Sequence, residues 1–218
     1  MPHADADPSL PPETTSIEEA DIAVAQRLAR RRGHPAVRAA GWLSGIGDQP
    51  PLITISGAVL AFGLVAGRPR ATEAGGRMLA SVLVATWIKA GLKRLVSRTR
   101  PNVLLDDGRY AVEPLGPDEG PWHSFPSGHT AGSVAAARAL ARTWPQARGP
   151  AYAGAASIAM IQVPRGAHYP IDILAGALVG LTAEAIVDRC VSTGGAFQAA
   201  KTPSPLGERE GSGRRPGG

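Results

Sequence analysis

Three short segments of the chain carry residues that could do chemistry on an anion. The first, from Ala74 to Leu105, is basic and contains no acidic residue. Its charged residues are Arg77, Lys89, Lys93, Arg94, Arg98 and Arg100. On a helix Lys89 and Lys93 share a face, whereas Pro101 disfavours helical backbone at Arg100, which we expect to project from a turn. Such a field favours an anionic ligand, and a basic flank of a membrane helix is the alternative.

The second segment, Pro126-Ser127-Gly128-His129, comes directly before a run of small residues from Thr130 to Thr143. A turn that opens a helix here would place backbone N–H groups and His129 at the positive end of the helix dipole. That arrangement favours a phosphate group. A plain helix cap with a surface histidine is the alternative interpretation.

The third segment runs from Pro164 to Asp172 and contains a second histidine, His168. Pro170 suits the first turn of a helix, so we expect Asp172 in that turn and His168 just before it. At this spacing the carboxylate can accept a hydrogen bond from the imidazole. The pair would form the oriented-histidine half of a catalytic triad.

The elements that must position these segments are apolar helices. No charged residue occurs in residues 49–67 or 149–164, and shorter apolar stretches cover residues 78–88 and 173–183. A helix that crosses a bilayer needs about 20 apolar residues. The expected spans are Leu52–Gly67, Met78–Leu95, His129–Trp144, Gly149–Val163 and Ile171–Val187. A soluble Ala/Gly-rich helical bundle is the alternative, since shorter apolar runs also form buried helices.

Composition limits the remaining possibilities. The 218 residues are 44% hydrophobic with a net charge of +5, and Cys190 is the only cysteine. A disulfide framework, a Cys-ligated zinc site and an iron–sulfur cluster are therefore excluded within the chain. Aromatic residues are not interleaved with the basic ones, which argues against nucleic acid as a partner.

The two ends of the sequence differ from its apolar middle. Residues 1–15 and 191–218 are rich in Pro, Gly and Ser and predict disordered tails. Residues 16–47 predict an amphipathic helical segment, with a capping box at Ser16 and Glu19 and a helix end at Gly33. This segment would lie on an anionic membrane surface or form an ordinary solvated helix. We expect no secretory signal peptide.

Taken together, the three segments resemble the signatures of the type 2 phosphatidic acid phosphatase superfamily, which also includes the vanadium haloperoxidases. The first signature, Lys-x6-Arg-Pro, is matched by Lys93, Arg100 and Pro101, and the second by Pro126 to His129. The third, Ser-Arg-x5-His-x3-Asp, is matched at His168 and Asp172. Its opening differs, because Ile161 and Gln162 stand where the family has Ser and Arg. The resemblance covers about residues 43–188.

The resemblance implies an all-α, multi-pass transmembrane bundle of about five to six helices, preceded by an N-terminal amphipathic helix. Residues 48–190 would form the catalytic domain of a phosphatase that needs no cofactor and no metal. Its expected partners are the membrane and a lipid phosphate or isoprenoid (pyro)phosphate. The expected location is a bacterial cell membrane, with the active face and the oligomeric state left open.

The resemblance also implies a role for each site residue. His168, oriented by Asp172, would be the nucleophile that forms a phosphohistidine, and His129 would be the general acid and base. The expected phosphate-binding residues are Lys93, Arg100, Ser127, Gly128, Gln162 and Arg165.

Gln162 leaves three outcomes open. It could bind phosphate weakly in a slower enzyme, Arg165 could take over from the missing arginine, or the chain could bind a lipid phosphate without hydrolysing it. A vanadate-dependent haloperoxidase is a further alternative, which the short chain and the missing arginine disfavour.

Overall fold

A computed structural model of the protein describes residues 14–117 and 120–201. These residues are mostly helical. The helices are α1 Ser16–Ala29, α2 Pro35–Leu43, α3 Gln49–Val65, α4 Pro69–Leu95, α5 Pro101–Asp107, α6 Gly128–Thr143, α7 Arg148–Met160 and α8 Pro170–Lys201. Short 3-10 turns occupy Ser44–Gly47, Gly120–Trp122 and Pro145–Ala147. Two short strands, β1 Val96–Arg98 and β2 Val112–Pro114, pair antiparallel with Val96 opposite Pro114.

Helix α6 lies at the centre of a bundle with α3, α4, α7 and α8. Small residues allow this packing. A Cβ atom on Gly180 would lie 2.5 Å from the carbonyl oxygen of Ala131, and one on Gly176 would lie 2.5 Å from that of Ser127. Close approach of helix backbones through small residues is typical of helix packing in membranes. The bundle therefore brings the first turns of α6 and α8 together.

Helix α1 packs against the same end of the bundle. Its Ile22 and Ala25 are buried in one apolar cluster with Leu104 of α5 and Tyr169 beside α8. The helix is capped by Thr15, whose hydroxyl accepts a hydrogen bond from the backbone N–H of Glu18, one residue before the predicted cap at Ser16. The N-terminal segment thus contributes a buried face to this end of the bundle.

One helix in the described part of the chain, Pro170–Thr193 within α8, is long and apolar enough to cross a membrane. Residues Pro35–Gly47 and Gln49–Val65 would give a second span if they act together across a bend of 52°. The five predicted spans each overlap one helix, namely α3, α4, α6, α7 and α8. Their crossing of a bilayer remains a prediction.

Two further elements differ from the sequence predictions. No helix or strand was predicted from Asn102 to Phe125, but most of α5 and the whole of β2 lie there. Pro101 favours the first turn of α5, and Gly108, with φ of 66°, ends it. Helix α8 continues past residue 191, where a disordered tail was expected, because no proline interrupts it before Pro203. Residues 1–13 and 202–218 of the predicted tails lie outside the described residues.

Candidate active site

A cavity of about 530 Å³ opens where α4 ends and where α6 and α8 begin. Its walls carry charged and titratable groups from all three signature segments and from the start of α3. The lining residues of this kind are Asp48, Lys89, Lys93, Arg100, His129, Arg165 and His168. Backbone of Gly128 also lines it. We refer to it as the catalytic cavity.

His168 is held in one orientation and one tautomer. Its side chain is almost fully buried, and Nδ1 lies 2.6 Å from the backbone carbonyl oxygen of Ser124. Because a carbonyl only accepts hydrogen bonds, Nδ1 must carry the proton. The lone pair of a neutral imidazole is then on Nε2. Burial lowers the pKa of His168, against the opposing effect of Asp172, and so favours the neutral, nucleophilic ring.

Asp172 lies behind His168 and is fully buried, outside the lining of the catalytic cavity. Its Oδ2 is 3.8 Å from Nδ1 of His168, which is longer than a hydrogen bond. Instead Oδ2 accepts hydrogen bonds from the hydroxyl of Ser124 at 2.6 Å and from the backbone N–H of Tyr169 at 2.8 Å. The predicted direct hydrogen bond is thus replaced by an arrangement in which Ser124 contacts both residues.

Arg98 fixes the position of Asp172. It donates to Oδ1 of Asp172 at 3.0 Å and to Oδ2 of Asp21 in α1 at 2.8 Å, and its guanidinium lies 3.8 Å from the ring centre of Tyr169. Burial opposes the charge on Arg98, but the carboxylates of Asp172 and Asp21 raise its pKa. Asp21 also accepts a hydrogen bond from the backbone N–H of Ile171. Helix α1 is therefore tied to the first turn of α8.

His129 faces the catalytic cavity from the first turn of α6. Its Nε2 lies 2.9 Å from Oδ1 of Asp48, although the ring N–H is not aligned for a hydrogen bond. Asp48 is half exposed and immediately precedes α3. The carboxylate supplies the counter-ion that a protonated imidazole requires.

Arg100 and Lys93 provide positive charge on one side of the cavity. Nε of Arg100 is buried without a hydrogen-bond partner among the described residues. Burial and the neighbouring Arg165 both lower the pKa of Arg100. The ammonium of Lys93 donates to the backbone carbonyl of His123 at 2.6 Å. An unsatisfied buried donor is costly, so Arg100 fits a site that an anion completes.

Arg165, and not Gln162, lines the cavity. Gln162 is fully buried beneath it, where its amide donates to the backbone carbonyl of Ile158 at 2.8 Å and to the hydroxyl of Ser44 at 3.3 Å. The Arg165 guanidinium donates to the same hydroxyl at 3.0 Å and to Oε1 of Gln162 at 3.3 Å. Gln162 is thus a support for Arg165.

Ser127 also differs from its predicted role. It is fully buried, does not line the cavity, and accepts hydrogen bonds from the backbone N–H and the hydroxyl of Thr130. It caps α6, and this cap directs the first turn of the helix toward the cavity. Among the described residues, no group of three or more His, Cys, Asp or Glu side chains is placed to hold a metal ion.

Sequence reasoning assigned no site role to four residues: Asp48, Lys89, Arg98 and Ser124. Lys89 was placed on the same helical face as Lys93, but only as part of a basic field. Arg98 was visible only as one of several basic residues. Asp48 and Ser124 carry no signal in the sequence, because their partners are distant along the chain. Asp48 contacts His129, 81 positions away, and Ser124 contacts His168 and Asp172, 44 and 48 positions away.

Comparisons with known proteins agree on one family. The family model described as "PAP2 superfamily" matches residues 74–195. A lipid A 1-phosphatase from Rhizobium etli is 33% identical over 185 residues, which cover 77% of each protein. A decaprenylphosphoryl-5-phosphoribose phosphatase from Mycobacterium tuberculosis is 36% identical over 126 residues, covering 56% of this chain and 62% of the relative.

Two crystal structures share the fold. LpxE from Aquifex aeolicus superimposes with a TM-score of 0.60 at 24% identity, covering 77% of this chain and 94% of that one. A transmembrane PAP2-type phosphatidylglycerolphosphate phosphatase from Bacillus subtilis gives a TM-score of 0.59 at 22% identity, covering 87% of this chain and 90% of that one. At these identities the likeness supports the fold alone.

Proposed function

The chain belongs to the PAP2 superfamily, and from this premise we propose that it is a membrane phosphatase that releases phosphate from a lipid phosphate or an isoprenoid diphosphate. One observation carries the proposal: two histidines from different signatures line the same cavity as Arg100, whose buried Nε has no partner among the described residues. A phosphoryl group would complete that arrangement.

His168 is the nucleophile of the proposed reaction. With Nδ1 donating to Ser124, the lone pair on Nε2 attacks phosphorus and forms the P–N bond of a phosphohistidine, while the bond from phosphorus to the leaving oxygen breaks. His129 donates a proton to that oxygen. It then takes a proton from water, which attacks phosphorus, breaks the P–N bond and yields inorganic phosphate.

The fixed cations stabilise the charge that spreads over the phosphoryl oxygens in both transition states. Arg100 and Arg165 offer planar donors that fit two oxygens at once, and the ammonium of Lys93 adds a point charge. Backbone N–H groups at the start of α6 contribute through the helix dipole. No step requires a metal ion or a cofactor.

We infer that Arg165 replaces the arginine that the family has at position 162. Ser44 and Gln162 hold its guanidinium, and Gly41 of α2 gives it room, because a Cβ atom there would lie 3.0 Å from Cδ of Arg165. An arginine three residues later thus reaches the cavity from a different point of the backbone. This geometry favours an active enzyme over a non-catalytic binder.

The proposed substrate is a lipid. The relatives are named for lipid A and for a decaprenyl-linked phosphoribose, and the apolar α8 is long enough to cross a membrane. In the proposed topology α3, α4, α6, α7 and α8 cross the bilayer, residues 16–47 lie at the interface, and residues 48–190 form the catalytic domain. The cavity then opens at one membrane face.

The test measures phosphate release by the purified full chain in detergent with a metal chelator present. The substrates are phosphatidic acid, phosphatidylglycerophosphate, an isoprenoid diphosphate and a soluble aryl phosphate. We expect release from at least one lipid, its loss in His168→Ala, and a phosphohistidine trapped by alkaline quench and mass spectrometry. His34→Asn, which alters an exposed histidine and keeps a side chain able to cap α2, is the control and should retain activity within about twofold.

Two results would reject parts of the proposal. Release that persists in His168→Ala, or that disappears on chelation, would reject the mechanism. Lipid binding without release by the native chain, together with release by Gln162→Arg, would show that the chain is a binder in which Gln162 abolishes catalysis.

A further inference from the structure

A second cavity, of about 280 Å³, adjoins the catalytic cavity and shares Arg165 with it. Helix α2 and the end of the α1–α2 turn form its other walls. They contribute Arg32, Val37, Arg38, Gly41 and Trp42. None of the family signatures includes these residues. We call it the Arg38 cavity.

The charge of the Arg38 cavity is not balanced by protein carboxylates. Arg32 forms an ion pair with Asp106 of α5, so its charge is compensated. Arg38 is exposed and makes no ion pair with any described residue. Among the residues that the structure describes, the side-chain partners of Arg165 are the neutral Ser44 and Gln162. Two uncompensated guanidinium groups at one small cavity attract an anion, and their shape fits phosphate or carboxylate oxygens.

Helix α2 and the turn after it place exposed apolar side chains beside this cavity. Arg38 and Trp42 are four residues apart and share a helical face, and Gly41 leaves room for the Arg165 side chain to pass. Beside the cavity the apolar side chains of Trp42, Leu43 and Ile46 are 81%, 64% and 51% exposed. Exposed Trp and aliphatic residues next to arginine are typical of a membrane interface.

We propose that the Arg38 cavity binds a second anionic group of the substrate, a phosphate or a carboxylate, while the phosphate to be hydrolysed lies against His168. Arg165 stands in the wall between the two groups and contacts both. This inference rests on the proposed function, and it defines the substrate class as a lipid whose headgroup carries two anionic groups.

Binding is measured first, with His168→Ala protein so that no ligand is consumed. Short-chain phosphatidylglycerophosphate carries a phosphodiester in addition to its terminal phosphate, whereas short-chain phosphatidic acid carries one phosphate. Isothermal titration should give a Kd for phosphatidylglycerophosphate at least about tenfold lower than that for phosphatidic acid, since one charge-assisted contact contributes about that factor. Arg38→Ala should remove this preference, and Arg38→Lys should keep part of it. Arg31→Ala, which removes another exposed arginine, is the matched control.

Turnover is then compared in protein that retains His168. Arg38→Ala should raise KM for phosphatidylglycerophosphate about tenfold with little change in kcat, and should leave phosphatidic acid within about twofold. Equal effects on both lipids, or none on either, would overturn the inference. The effect of Arg38→Ala could instead depend on the anionic lipid content of the micelle and not on the ligand. In that case the cavity binds headgroups of surrounding lipids, and the inference is also overturned. Ligand binding without any turnover would reject the proposed function and leave the Arg38 cavity to be judged by the Kd values.

Discussion

The arginines that line the catalytic cavity and those of a network further along the bundle are held in opposite ways. Away from the catalytic cavity, α4, α6 and α8 share a paired network of three arginines and three carboxylates. Its members are Glu73, Arg77, Arg138, Arg142, Glu184 and Asp188. Glu184 is fully buried and pairs with both Arg138 and Arg142. At the catalytic end, Arg100 and Arg165 make no ion pair with any described residue.

Arginine therefore serves two purposes in this bundle. A buried ion pair contributes little net stability, but removal of one partner leaves an uncompensated charge and is strongly destabilising. A cation without a protein partner instead keeps its binding capacity for a ligand, at some cost to the stability of the empty site. Substitutions in the paired network should therefore affect folding, and those at the catalytic cavity should affect activity.

The largest expected effect is that of Arg100→Ala. We expect kcat/KM to fall about 10³-fold, because the variant loses a donor that acts on the transition state. The free energy of unfolding should stay within about 1 kcal/mol or rise, since an unpaired buried cation is removed. Steady-state kinetics and chemical unfolding in detergent measure both quantities. Arg94→Ala, at an exposed position of α4, serves as the control, and a large loss of stability in Arg100→Ala would contradict the comparison.

The next effect is that of Glu184→Gln, which leaves Arg138 and Arg142 without their shared carboxylate. The free energy of unfolding should fall by about 3 kcal/mol, while KM of the folded fraction stays unchanged. Glu73→Gln, which alters a half-exposed member of the same network, should cost less than about 1 kcal/mol. An unchanged stability of Glu184→Gln would show that the paired network does not hold the bundle together.

Arg165→Ala should lower kcat/KM about 10²-fold with little effect on stability, because its partners Ser44 and Gln162 are neutral. The companion variant Gln162→Arg should also lower activity and stability, since it places a second guanidinium in a fully buried position beneath Arg165. Steady-state kinetics and chemical unfolding of both variants test whether Arg165 replaces the family's arginine. Higher activity in Gln162→Arg would mean that Arg165 does not perform this role.

The smallest expected effect concerns pH. Burial lowers the pKa of His168, so the ring stays neutral at pH values where an ordinary histidine is protonated. As pH falls, kcat/KM should decline only near that lowered pKa. At pH 5.5 an imidazole with a pKa of about 6.5 would leave roughly a tenth of the maximal kcat/KM, and this protein should retain more than that. Measurements with two substrates whose phosphate groups differ in pKa distinguish titration of the enzyme from titration of the substrate. If kcat/KM for both substrates declines at low pH with a midpoint at pH 6.5 or above, this prediction is wrong.

The sequence identified those parts of the site that depend on local order. Lys93, Arg100, Gly128, His129 and His168 were predicted from their spacing, and all of them line the catalytic cavity. Prolines and small residues set the first turns of α6 and α8, so these positions followed from neighbouring residues. The helical, PAP2-like fold followed from the same three segments.

The sequence could not distinguish lining residues from supporting ones. Ser127 and Gln162 were expected to contact phosphate, yet both lie beneath the cavity. Asp172 was expected to hydrogen-bond His168 directly, but Ser124 takes that place. In each case the outcome depends on a side chain from a distant element, and spacing within one segment says nothing about it.

The reactions that are possible at this site follow from the amino-acid sequence, because local spacing places two histidines and their cations in helix-opening segments. How each group is used depends on the tertiary structure. Packing of α1 places Asp21 against Arg98, and packing of α2 places Gly41 and Ser44 against Arg165. These contacts join residues more than 70 positions apart, so they exist only once the bundle has formed and its burial energy holds the charges in place.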